Sequence, residues 1–296
     1  MGSQHIPVLV EEVMNLLRCE AHKTYVDATV GGGGHALEIL KRTLPDGIVI
    51  GIDWDEDAIA EAEGALVPFG DRIKMFRENF VRLPDLLEEL NISKVDGILL
   101  DLGLSSLQLE KKERGFSLKG EGPLDMRMDQ RINRTAADLL DGLSFQELES
   151  TLREFGEERW AKRIAKALVH ERERKPVGTT QELRRIVHRA IPRRFHSRKI
   201  DPATRTFQAF RIRVNEELEN LRSILETGWT FLKRGGRICV ISFHSLEDRM
   251  VKETFRRLDR DGLMRGITKK PITPSEEEKQ RNPRSRSAKL RCAERV

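Results

Sequence analysis

Four consecutive glycines at residues 31–34 constrain this chain more than any other stretch. They follow an apolar, β-branched approach, Val26-Asp27-Ala28-Thr29-Val30. Behind them come His35 and the helical spacing of Ala36-Leu37-Glu38-Ile39-Leu40. A strand, a glycine loop and a helix in that order cradle a nucleotide-like ligand, because no Cβ holds the ligand away from the backbone N–H groups. Such turns serve many ligands, so the meaning of this one depends on what ends the neighbouring strands.

The alternation continues beyond the loop. Apolar runs predict strands over residues 24–28, 48–52, 72–76, 95–100 and 237–243, and helical spacing falls over 55–66 and 83–90. The runs are continuous rather than alternating, which implies burial on both faces and a mainly parallel sheet covered by helices. From about residue 105 to 204 no buried strand is read. There Thr135-x-x-Asp138, Ser144-x-x-Glu147 and Thr179-x-x-Glu182 have capping-box spacing. Trp160, Ile164 and Leu168 recur every four residues. The chain thus divides into a first α/β part (1–105), an all-helical insertion (106–205) and a second α/β part with a basic tail (206–296). In the last part, apolar residues from Phe207 to Leu232 predict one long helix ended by Gly235-Gly236, and Ser245-x-x-Asp248 predicts a helix cap. Residues 263–268 and 288–293 are expected to pair as a terminal hairpin around a polar loop over 271–286.

No apolar run approaches the roughly 20 residues that span a bilayer, and the N-terminus lacks the pattern of a signal peptide. Cys19, Cys239 and Cys292 form neither a disulfide framework nor a CxxC pair. A reducing, cytoplasmic setting is expected, without a metal or a membrane partner. The net charge of +5 hides an asymmetry. Residues 159–213 hold 17 Lys or Arg against four acids, a surplus of 13, which leaves −8 for the remainder. A second basic stretch comprises Lys279, Arg281, Arg284, Arg286, Lys289, Arg291 and Arg295 against Glu294. Charge separated in this way suits a polyanion; the plainer alternative is a set of solvated helix faces.

In open parallel sheets, ligands bind beyond the carboxyl ends of the strands. The glycine loop follows the first predicted strand, Asp53 the second, Asn79-Phe80 the third, Asp101 the fourth and Phe243-His244 the fifth. Asp53 has the spacing of an acid that accepts hydrogen bonds from ribose hydroxyls, or it caps the helix over 55–66. Asp27 either binds a cationic amine or ties down the loop. Trp54 and Phe80 are candidates to sandwich an adenine, though buried aromatics more often serve a core. His35 reads as a residue that orients the loop or caps a helix rather than as a base. Asp101 opens Asp101-Leu102-Gly103-Leu104-Ser105-Ser106 and faces the crevice, unless it only forms a turn before Gly103. A P-loop lysine is absent, and the third glycine of a dinucleotide fingerprint is missing. The looser requirements of an S-adenosylmethionine site are met.

Longer stretches are more specific. They include His5-Ile6-Pro7-Val8, the glycine loop, Gly51-Ile52-Asp53, Val95-Asp96-Gly97-Ile98, Asp101 to Ser106, Gly115-Phe116-Ser117, Pro123-Leu124-Asp125-Met126-Arg127-Met128-Asp129, Thr206 to Ile212, and Ile241-Ser242-Phe243-His244-Ser245-Leu246-Glu247-Asp248. In these the chain resembles the bacterial small-subunit rRNA cytosine-N(4) methyltransferases, the RsmH (MraW) family. Ala36 stands where that family usually has serine. The resemblance implies a class I, Rossmann-like methyltransferase fold with an inserted helical domain. It implies S-adenosylmethionine contacts at Gly33, Gly34, His35, Asp53, Phe80, Asp101 and Gln108, the last not selected by reading the residues alone. It implies as acceptor a cytidine in the decoding region of small-subunit rRNA, free or in the assembled small ribosomal subunit, and leaves a homodimer open. Asp101 and, more weakly, His244 are the catalytic candidates. Exocyclic-amine methyltransferases often carry Asp-Pro-Pro-Tyr where this chain has Asp-Leu-Gly-Leu, so the base-stacking partner is sought among Phe243, His244 and Phe116. The stretch from Pro123 to Asp129 is either a flap over the site or a short edge strand with an internal ion pair. A non-catalytic RNA-binding assembly factor, a nicotinamide oxidoreductase and a methyltransferase with another acceptor are the alternatives.

Overall fold

The computed structural model describes residues 7–197 and 199–296. His5, Ile6 and Arg198, named above, lie outside them. The chain divides into two compact units, Met1–Ser105 with Leu218–Val296, and Ser106–Glu217. The second crossing therefore lies after Glu217, not after residue 205 as expected. The helix Thr204–Asn215 packs on Phe145–Glu154 and Ala136–Gly142 of the inserted unit. Its last residue is fastened there as well: Asn215 Nδ2 donates to Met126 O at 2.8 Å and its Oδ1 accepts from Met128 N–H at 2.7 Å.

The first unit is built on seven strands: β1 Thr24–Asp27, β2 Ile48–Asp53, β3 Ile73–Arg77, β4 Val95–Asp101, β5 Leu232–Ser242, β6 Met264–Gly266 and β7 Lys289–Arg295. Their order is β3-β2-β1-β4-β5-β7-β6. The pairs among β1 to β5 are parallel, while β7 runs antiparallel to both β5 and β6. Strand order reverses between β1 and β4, which makes the space beyond their carboxyl ends the switch point of a Rossmann-like sheet. Alternate residues serve opposite faces. Val26, Ile50, Ile98 and Ile238 join the core under the helices Leu83–Glu89, Glu217–Thr227 and Ser245–Arg260. Tyr25, Val49, Leu99 and Cys239 join the core under Val10–Leu17, Gly34–Arg42 and Glu56–Leu66. Two covered faces account for strands that read as unbroken apolar runs.

Three expectations change. The helix predicted from 207 to 232 is two helices, Thr204–Asn215 and Glu217–Thr227, separated where Glu216 takes a left-handed φ of 50°. The apolar period runs on across this break, so periodicity alone conceals it. Gly235 and Gly236 do not terminate a helix but lie inside β5, which begins at Leu232 because that residue pairs with Val95. The terminal hairpin forms with Met264 opposite Arg295, yet its second strand enters the sheet between β5 and β6 instead of extending its edge. The segment between them is not all loop, since Glu276–Arg281 is helical.

The second unit is helical, with the capping boxes at Thr135, Ser144 and Thr179 all formed. Leu148, Leu152, Ile164, Leu168, Leu183, Val187 and Phe210 are buried within it. No helix among the described residues is long and apolar enough to cross a membrane.

Candidate active site

Beyond β1 the chain is pinned at each step. Ala28 N–H donates to Leu99 O at 2.9 Å, Val30 N–H to Ile52 O at 2.9 Å and Gly33 N–H to Val30 O at 2.8 Å. Gly33 then opens the helix Gly34–Arg42 with φ 86°, and a Cβ there would stand 3.3 Å from Ala62 Cα. Both the left-handed φ and the close packing call for glycine.

Acids surround this loop. Asp53 accepts from Gly31 N–H at 3.0 Å and from Asp55 N–H at 2.9 Å. The helix cap at this point is Asp55, which accepts from Asp57 N–H at 3.0 Å. Burial pushes Asp53 up to about 6, against the pull of its backbone hydrogen bonds. Asp27 is fully buried. One of its oxygens accepts from Thr29 N–H at 3.4 Å, while Oδ2 has no partner. Burial pushes it up to about 7, with the charge of Asp53 adding to the effect. At the end of β4, Asp101 N–H donates to Thr29 Oγ1 at 2.6 Å. Asp101 Oδ2 lies 3.5 Å from His35 Nδ1, and Oδ1 is buried without a partner. Burial holds this carboxyl well above the usual carboxylate range, and Asp27 and Glu247 raise it further. Two orphaned carboxylate oxygens beside a glycine loop fit a cationic ligand, since an unmatched buried acceptor carries a cost that a cation removes.

His35 behaves as an orienting residue. Its Nε2 is 2.9 Å from Val8 O, and its other nitrogen faces Asp101. The helix Ser245–Arg260 is capped by His244 and Glu247, not by Ser245 and Asp248. Glu247 N–H donates to His244 Nδ1 at 3.4 Å, and Glu247 Oε2 accepts from the N–H groups of His244 (3.2 Å) and Phe243 (2.8 Å). The imidazole of this catalytic candidate therefore has a structural task. Phe243 lies against the Asp101 loop, where a Cβ on Gly103 would stand 3.1 Å from the ring. Leu102 N–H donates to Ile241 O at 3.0 Å, which fixes that approach. Phe80 opens a 3-10 turn capped by Asn79 and packs, half-buried, on the sheet core. Trp54 is half-buried after β2. Gln108 and Phe116 belong to the second unit and are buried there.

The stretch from Pro123 to Asp129 is no strand. Arg127 grips Asp125 with Nε and Nη2 at 2.8 Å each, and Met126 and Met128 are buried. The internal ion pair is present and holds a turn. The tail is not a free basic arm either. Asp248 takes Arg291 at 2.7 Å and Lys289 at 3.1 Å, and Arg295 donates to Thr230 O at 2.8 Å. These cations serve the sheet, which removes them from the predicted phosphate-binding set.

The MraW methylase family model matches residues 2–296. A curated relative from Desulfotalea psychrophila is 49% identical over 292 positions, covering 99% of this chain and 98% of the relative. Another, from Syntrophobacter fumaroxidans, is 46% identical over 306 positions, covering 98% and 96%. Both bear the name Ribosomal RNA small subunit methyltransferase H. A solved rRNA methylase from Streptococcus thermophilus is similar with a TM-score of 0.42 and 11% identity, covering 100% of this chain and 99% of that one. That likeness is too slight to carry an argument, but the full-length matches suffice: the chain belongs to the MraW methylase family.

Proposed function

We propose that this protein methylates the exocyclic N(4) amine of a cytidine in small-subunit ribosomal RNA, using S-adenosylmethionine, in the cytoplasm. The observation that carries the reading is the pair of orphaned carboxylate oxygens, on Asp27 and Asp101, at the ends of β1 and β4 beside the glycine loop. When bound, S-adenosylmethionine would supply an electrophilic methyl group, and the amine that takes it would release its proton to water. The chain's own residues arrange the rest. The N–H groups around Gly33 and Gly34 approach the ligand, and Asp53 receives the ribose hydroxyls. Asp27 faces the ligand's cationic groups. A cytosine amine is a weak nucleophile because its lone pair is delocalised into the ring, so it must be held about 3–3.5 Å from the methyl carbon. Asp101 accepts an amine hydrogen, held in place by His35 and by its own N–H on Thr29. Phe243 is the stacking partner for the base, which must be unpaired or flipped out. Phe80 flanks the adenine.

The test offers labelled S-adenosylmethionine with unmodified small subunits and with free rRNA, and maps the product by mass spectrometry. Transfer to a cytidine N(4), lost in Asp101→Ala, is the expected result. No transfer to either substrate, or a methyl group on another atom, overturns the reading.

A further inference from the structure

We infer that the second unit carries a stacking site for an unpaired base of single-stranded RNA, built on Trp160 and Phe195. Trp160 sits at the start of the helix Ala161–Arg172, and Phe195 closes the 3-10 turn Arg193–Phe195. Their ring centroids are 5.0 Å apart, with the planes tilted by 47°. Three guanidiniums lie over these rings. Arg159 is 4.9 Å from the Phe195 centroid and 5.3 Å from that of Trp160, Arg194 is 4.9 Å from Phe195, and Arg163 is 5.7 Å from Trp160. None of the three has a carboxylate partner among the described residues. By contrast, Arg184, Arg189 and Arg211 of the same basic segment are neutralised by Asp201, Glu171 and Glu217.

Phe195 is 41% exposed, unusual for a large apolar side chain. A core role would hide the ring, and a plain solubilising face would not place an aromatic among arginines. Rings layered with unpaired guanidiniums offer a π-face and anion donors together, the combination that holds unpaired nucleotides. A base inside a duplex hides its faces, so the occupant is single-stranded. Exposed Lys162 and Lys166 on the same helix extend the positive charge, which favours a polyanion over an uncharged or basic partner. This rests on the proposed RNA acceptor and adds a contact that none of the carboxylate-site residues makes.

Fluorescence anisotropy on the intact protein tests it, with a short uridine oligonucleotide and the same ribose-phosphate backbone lacking bases. The expectation is about ten-fold tighter binding of the base-bearing strand. Phe195→Ala should abolish that preference, Phe195→Trp should retain it, and binding of the bare backbone should hardly change. The wild-type comparison needs no variant, so a folding defect cannot obscure it. Equal binding of the two strands by the wild type overturns the site, as does an equal loss for both in Phe195→Ala. Displacement of the oligonucleotide by polyglutamate at lower concentration than by RNA also overturns it, in favour of an acidic protein partner. If the base preference holds while rRNA is not methylated, the acceptor assignment fails and the stacking site stands. If rRNA is methylated without the preference, only the stacking site fails.

Discussion

Asp27 braces the turn at Thr29 with one oxygen, and its other oxygen has no partner. Burial raises this carboxyl from an ordinary 3.8 to about 7. The folded chain then keeps a proton that the unfolded chain releases. Stability present below about pH 4 is lost progressively as the pH rises toward 7, at up to about 1.4 kcal/mol per pH unit. Asp27→Asn removes this burden. Without ligand, the variant should melt above the parent at pH 8, with the gap narrowing toward pH 5. If the carboxylate faces the ligand's ammonium as proposed, the variant should also bind S-adenosylhomocysteine more weakly by calorimetry. Identical melting of the two proteins at pH 8 would show that the buried carboxylate imposes no cost.

At the scale of elements, legibility followed locality. The caps at Thr135, Ser144 and Thr179 were readable because donor and acceptor lie three residues apart, and the strands of the parallel sheet because two buried faces leave long apolar runs. The cap of Ser245–Arg260 was misread by one residue, since Ser245 and Asp248 mimic the spacing that His244 and Glu247 fulfil. The break at Glu216 and the interior position of β7 were invisible. One is a single backbone dihedral and the other a pairing between strands far apart in sequence. The same division holds for the site. That Asp53 and Asp101 end strands is legible in the sequence, whereas the approach of Phe243 to Gly103 needs the sheet register. The cap also separates two roles for His244. His244→Asn should preserve the helix start, keep the melting temperature near that of the parent and retain methyl transfer; His244→Ala should cost about 1 kcal/mol in chemical denaturation. An Asn variant that folds like the parent but transfers no methyl group would make His244 a catalyst.

For the molecule as a whole, the net charge of +5 is a poor guide to what meets RNA. Lys289 and Arg291 of the tail are held by Asp248 and Arg295 by a carbonyl of its own unit, so the inserted unit should carry more of the electrostatic attraction. About six phosphate contacts would give a log–log slope of affinity against salt near −4 for single strands. Arg159→Gln should reduce its magnitude by about 0.7. Arg291→Gln should leave the slope unchanged and lower the melting temperature instead, because it unpairs a buried Asp248 contact. Equal slopes in Arg159→Gln and the parent would relocate the RNA surface. The placement of β7 has a consequence in time as well as in space. Ile238, Cys239, Val240 and Ile241 of β5 present an unpaired hydrogen-bonding edge until residues 289–295 arrive to cover it. During synthesis that edge must therefore wait for a segment made well after β5 itself. A chain stopped short of that segment would expose an apolar strand edge open to pairing with other chains.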